Sequence, residues 1–176
     1  SDEDTVADRN LDPAWFTGLA AAGGTYWMGD RMGTDPDTDH ADQDALEDCT
    51  MEAYDQAGIE DPIEEFDVAE IYAPFTGSDF ASLERLHLAE PGKAADAERE
   101  GRFEMDGEIP VNPSGGVQCA NPIAVTALVR VVEGAMQVTG TAGDHQVDGV
   151  NDAVVTGSGG SVQFWTTTTL SADKPN

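Results

Sequence analysis

Between positions 42 and 56 the small and apolar residues Ala45, Leu46, Cys49, Ala53 and Tyr54 recur at the spacing of one buried helix face. Gly58 and the Asp61-Pro62 step close that helix. Upstream, Ala14 to Leu19 reads as a short buried strand ending at a Gly23-Gly24 turn, with a mobile acidic loop around 33–42. Phe66 to Tyr72 is a second strand. Phe75 to Leu88 is a helix whose start, Thr76-Gly-Ser-Asp79, resembles a capping box. Residues 89–108 are charged and punctuated by glycine, the pattern of an exposed excursion. Residues 122–138 are apolar on nearly every face apart from Arg130, Glu133 and Gln137, which predicts a buried helix ending at Gly140. Ala153 to Thr156 and Val162 to Thr169 are strands flanking a Gly157–Gly160 hairpin turn. Strands alternating with helices predict an α/β fold, a mixed five-stranded sheet covered by helices.

Charge narrows the class. The 176 residues are 39% hydrophobic, enough for a core, yet 35 Asp and Glu against 8 Lys and Arg give a net charge of −27. Residues 1–110 hold 30 of the acids and residues 111–176 only 5, so the second part reads as the buried one. No basic stripe exists to neutralise phosphates, which excludes nucleic acid as a partner. A carboxylate-rich surface suits a salt-loving cytoplasm, where added salt screens self-repulsion, or an acidic docking face for a basic partner. Two cysteines, Cys49 and Cys119, make neither a disulfide framework nor a zinc pattern and fit a reducing cytosol. No apolar run approaches the ~18 residues of a membrane span and no signal segment opens the chain. The absence of an initial methionine suggests a trimmed or excerpted product. In the acidic run from Asp35, His40 and Leu46 stand where a calcium loop needs glycine and glutamate, so no metal site is expected.

The candidate chemistry sits in Asn112-Pro-Ser-Gly-Gly-Val-Gln-Cys-Ala-Asn121-Pro122. Two glycines allow a sharp bend with free N–H groups, and Asn121-Pro122 then opens a helix, so one side chain and several donors converge. Such a point suits a carbonyl oxygen gaining negative charge. Asn121 is equally suited to be the helix N-cap. Cys119 is either a small buried thiol or a nucleophile activated at a helix start. His40, His87 and His145 lack nucleophile-and-carboxylate company in sequence and read as surface or supporting residues.

This turn resembles the active-site turn of thiolases, and most of the chain, about 45–170, is similar to the C-terminal half of that superfamily. The sterol-carrier-protein-type thiolases are nearest. Supporting pieces, in order, are Ala57-Gly-Ile59, Asp67-Val-Ala-Glu-Ile71 leading to Phe75, Asn112 to Gly116, Glu133-Gly-Ala-Met-Gln137 with Gly140, His145-Gln-Val147 and Gly157 to Gly160. The resemblance implies a thiolase-like half, with residues 1–44 as an N-terminal strand and acidic loop of a longer parent and 45–176 as the C-terminal-like domain. It implies an acyltransferase acting on carbon–carbon bonds next to a thioester. Coenzyme A thioester would be substrate, with no bound cofactor. The cysteine nucleophile and most of the coenzyme A site would lie in an N-terminal thiolase half, and the complete protein would be a homo-oligomer.

The family's three C-terminal contributions have changed. Tyr72-Ala-Pro-Phe75 stands where thiolases carry Asn-Glu-Ala-Phe or His-Asp-x-Phe. Asn121 replaces the histidine of Gly-His-Pro in a turn one residue shorter. The second cysteine falls near Val155. An amide and a phenol can still donate hydrogen bonds, but valine offers no base for an α-proton. The resemblance therefore implies Tyr72 and Asn121 as catalytic residues, with Phe75, Asn112, Gly116, Gly157, Ser158 and Gly159 binding substrate. Tyr72 also fits a half-buried core aromatic, and the glycines a plain hairpin. Phenol plus amide without the second cysteine resembles the thiolase-like retro-aldolases of steroid side-chain cleavage, which work with an OB-fold, zinc-ribbon partner protein. The remaining alternative is a non-catalytic subunit for assembly or acyl-lipid binding.

Overall fold

The computed structural model describes residues 5–6, 12–24, 43–75, 77–160 and 163–175. The acidic loop expected around 33–42, Thr76 and the start of the last predicted strand lie outside them. Four strands make one mixed sheet in the order β1-β4-β3-β2, namely β1 (Trp15–Gly23), β2 (Val68–Glu70), β3 (Asp152–Gly159) and β4 (Phe164–Ser171). β4 runs antiparallel to both neighbours, and β2 lies parallel to β3. Among the described residues the expected fifth strand is not formed. Its nearest counterpart is a single bridge from Val111 to Ala69, because Pro110, which has no N–H, can only accept, taking the Ala69 N–H at 3.0 Å.

Period-2 alternation sorts the sheet's two faces. Val154 and Trp165 join Leu46, Cys49, Ala53 and Tyr54 of α1 (Asp44–Ala57) in one core, while Ala153, Val155 and Leu170 join Val131, Ala135 and Val138 of α6 (Thr126–Val138) in another. α1 matches its predicted face, and Gly58 ends it in the left-handed conformation at φ 75°. Between these two come α2 (Pro62–Glu65), α3 (Ser78–Arg85), α4 (Ala94–Arg99) and α5 (Gly116–Cys119).

Five further expectations change. The first strand is an edge strand rather than a buried one, since Phe16 and Leu19 are 56% and 57% exposed. The excursion over 89–108 is anchored by buried Ala94, Ala97 and Phe103. Gly157 to Gly159 belong to β3, so the hairpin turn comes after them. The long apolar helix begins only at Thr126 and is buried on one face, leaving Leu128 62% exposed and Val132 also outward. α3 is likewise shorter than predicted; its N-cap is Gly77, whose N–H donates to Asp79 Oδ1 at 3.0 Å.

Candidate functional site

The 112–116 turn rests on a buried ion pair. Glu70, the last residue of β2, is 0% exposed, and Arg130 on α6 is 1% exposed. Arg130 Nη1 donates to Glu70 Oε2 at 2.8 Å and to Ser114 Oγ at 2.7 Å. The Ser114 N–H and Oγ–H donate to the two oxygens of Glu70 at 3.1 and 2.8 Å. Burial pushes the Glu70 carboxyl above the usual range, while Ser114 and the Arg130 charge pull it back. Arg130 Nε has no hydrogen-bond partner among the described residues.

These contacts alter the reading of the turn itself. Its N–H groups are not free: Ser114 donates to Glu70, Gly115 to the Asn112 carbonyl at 2.8 Å, and Gly116 to Ser114 Oγ at 3.2 Å. Asn112 adopts φ 53°, and its Oδ1 accepts the Ile71 N–H at 2.8 Å, so its carboxamide pins the turn to the end of β2. Gly116 is obligatory, because a Cβ there would lie 2.9 Å from Asn112 Cγ at φ 57°.

Asn121 is not the helix N-cap. Residues 118–125 form an exposed connection, and the position before α6 is Val125, with no side-chain cap. Pro122 instead starts a turn closed by the Val125 N–H, which delays the helix by four residues. Asn121 Oδ1 accepts from Thr126 Oγ1 at 2.7 Å, which fixes the amide so that its Nδ2 hydrogens carry no bond among the described residues. Tyr72 is half-buried, packs against the α1-side core, and its N–H donates to Thr156 Oγ1 at 2.8 Å. Gly157, next to Thr156, backs onto Ala127 in the first turn of α6, where a Cβ would overlap Ala127 and lie 2.8 Å from Thr166 Oγ1. Gln118 Nε2 reaches the Ala73 carbonyl at 3.5 Å. The ends of β2 and β3 and the start of α6 thus adjoin, but Tyr72 packs with the α1-side core while Asn121 is held at the α6 side, and no hydrogen bond joins the two among the described residues. Ser158 and Gly159 continue β3 opposite Trp165 and Phe164, and Phe75 stands 74% exposed where α3 begins.

The family profile described as Thiolase C-terminal domain-like matches residues 31–172. The chain belongs to that family. It is 29% identical over 159 residues to an acetyl-CoA acetyltransferase of Methanothermobacter thermautotrophicus, covering 90% of this chain and 39% of that protein. Sterol carrier protein 2 of Gallus gallus is 34% identical over 99 residues, 54% of this chain and 18% of its own length. The chain therefore spans about two fifths or less of these relatives. Among solved structures, the Ltp2-ChsH2(DUF35) aldolase superposes with a TM-score of 0.78 over 93% of this chain and 41% of its own, at 24% identity. A chain from the complex of a type II PKS acyl-carrier protein with its ketosynthase follows the same fold at a TM-score of 0.58 and 16% identity, over 98% of this chain and 42% of that one.

Val155, where the sequence resemblance put the second cysteine, is 1% exposed and packs under Gly134, in the core. Cys119, read from the sequence as either a small buried thiol or an activated nucleophile, is exposed at the end of α5, its side chain lying against Gly115. Cys49 is buried against Thr167 Oγ1 at 3.3 Å, and burial raises its thiol. His145 pairs with Glu133 at 3.0 Å, and His87 faces Glu47 at 3.6 Å, both away from the turn in sequence. Sequence reasoning missed the Glu70–Ser114–Arg130 cluster. Its signal was an arginine interrupting an apolar helix.

Proposed function

We propose that this chain is the C-terminal half of a thiolase-like enzyme that forms or breaks a carbon–carbon bond next to a coenzyme A thioester. Asn121 and Tyr72 act as hydrogen-bond donors to the oxygen that gains charge. The observation that carries this reading is the Thr126–Asn121 bond, which occupies the amide oxygen and leaves the donor hydrogens uncommitted beside the start of α6. The nucleophile and most of the coenzyme A site come from the N-terminal thiolase half. That half also covers the outward apolar stripe of Val125, Leu128 and Val132. The complete protein is a homo-oligomer.

Apolar, buried Val155 favours a second reading within the same family, retro-aldol cleavage of a hydroxyacyl thioester. In that reaction the hydroxyl loses its proton, the carbon–carbon bond breaks, and the electron pair moves into the thioester enolate, which is then protonated. Neither cysteine of the Claisen reaction is required. An OB-fold, zinc-ribbon protein is then the partner, in keeping with the DUF35 partner of the aldolase neighbour.

The test uses the complete protein with acetoacetyl-CoA plus coenzyme A, and separately with a hydroxyacyl-CoA. Turnover of either supports the reading, and which one is consumed decides between the two reactions. Asn121→Ala is expected to lower kcat by about 10²-fold, the usual effect of losing one such donor. The 176-residue chain alone is expected to be inactive with both. If the complete protein turns over neither, the chain is an assembly or acyl-binding subunit.

A further inference from the structure

Glu70, Ser114 and Arg130 take no part in the chemistry proposed above, yet each sits on an element that carries part of it. Glu70 ends β2, two residues before Tyr72. Arg130 is on α6, one turn past Thr126, the residue that holds Asn121. Ser114 lies in the turn between them. Its hydroxyl is fully used, donating to Glu70 and accepting from Arg130 and the Gly116 N–H. Both Glu70 oxygens are also occupied. Stability alone does not call for this arrangement, because apolar residues of similar volume hold a core as well as a buried ion pair does. What an apolar trio cannot do is fix a turn through directed bonds.

We infer that Glu70 and Arg130 are positioning residues which, acting through Ser114, set the 112–116 turn and the spacing between Tyr72 and Asn121. The inference rests on the proposed thioester chemistry for its consequence and on the hydrogen-bond geometry for its mechanism. Misplacement of a donor by about 1 Å far from the reacting atoms costs on the order of 10²-fold in rate, so a turn held by four directed bonds around the Glu70–Arg130 pair has a kinetic role.

The experiment replaces the pair by apolar residues, Glu70→Leu with Arg130→Met, in the complete protein. Three quantities are read: the melting midpoint, amide hydrogen exchange at Ser114 and Gly116, and kcat against KM. A folded double variant should exchange those two amides at least about 10-fold faster while β4 amides keep their protection. Where the parent turns over a thioester, kcat should fall about 10-fold or more with KM nearly unchanged. Unchanged exchange at both amides overturns the positioning role, and unchanged kcat in an active parent overturns its kinetic consequence. If the parent turns over no thioester, the proposed function fails while the exchange result still decides the geometry. Should the double variant not fold, Ser114→Ala leaves the ion pair and the Ser114 N–H bond in place, removes the three bonds of the hydroxyl, and is read by exchange at Gly116 and by kcat.

Discussion

Ala124 holds φ at 80°, a backbone region that side chains with a Cβ enter at a cost of about 1–2 kcal/mol. The strain lies between Asn121 and Thr126, in the connection that orients the amide. Ala124→Gly should therefore raise stability by about 1 kcal/mol, seen as a higher melting midpoint, unless flexibility gained by the unfolded chain cancels it. A lower midpoint would show that the angle is unstrained. Gly157 presents the opposite case, with β3 and α6 too close for any side chain. Gly157→Ala should destabilise by about 1–3 kcal/mol through overpacking, measurable by denaturant titration. The two thiols differ in the same local way. Cys119 should react with a thiol reagent in the native protein, and Cys49 only on unfolding, since it is buried, hydrogen-bonded and raised by desolvation. Simultaneous labelling would contradict the packing around α1.

At the scale of elements, α1 was legible because its small and apolar residues recur at helical spacing, and all five of its predicted face residues are buried. α6 was legible as a helix but not in its surroundings. A run that is apolar all round can be buried by one layer or by two, and periodicity does not count the layers. Among the described residues one layer covers it, and the outward side bears Leu128 and Val132. On the inward side Arg130→Ala would leave Glu70 buried without its counter-charge. The expected loss is about 3–5 kcal/mol, and paired replacement of both residues should cost far less. Equal losses from the single and paired changes would mean that the ion pair is not coupled. β1 shows how an exposed edge is managed: its register shifts between Phe16 and Gly18, and Gln56 Oε1 accepts the Leu19 N–H at 2.9 Å, so a second sheet finds no regular ladder.

For the whole molecule the dominant quantity is the charge of −27. Its self-repulsion is screened as salt rises, the Debye length falling from about 10 Å at 0.1 M to about 3 Å at 1 M. The melting midpoint should therefore climb across a monovalent salt series. A flat or falling midpoint would favour the other reading of the acidic surface, a docking face for a basic partner. The ion pairs that exist on this surface, such as Arg85 with Asp44 and Glu47, or Arg99 with Asp96, are too exposed to offset the excess.

The sequence by itself determined the α/β class, α1 with its glycine stop, the closing strand pair and the family, because these rest on local periodicity and on short motifs kept in order. It also carried the candidate residues Tyr72, Asn121 and Val155, which are read directly as residue types. Only the tertiary structure decided that the turn's N–H groups are already bonded, that Asn121 is held by Thr126 rather than capping a helix, and that Glu70, Ser114 and Arg130 meet. Those three are separated by 44 and 16 positions along the chain, and no local pattern encodes a contact that forms only when β2 and α6 pack together.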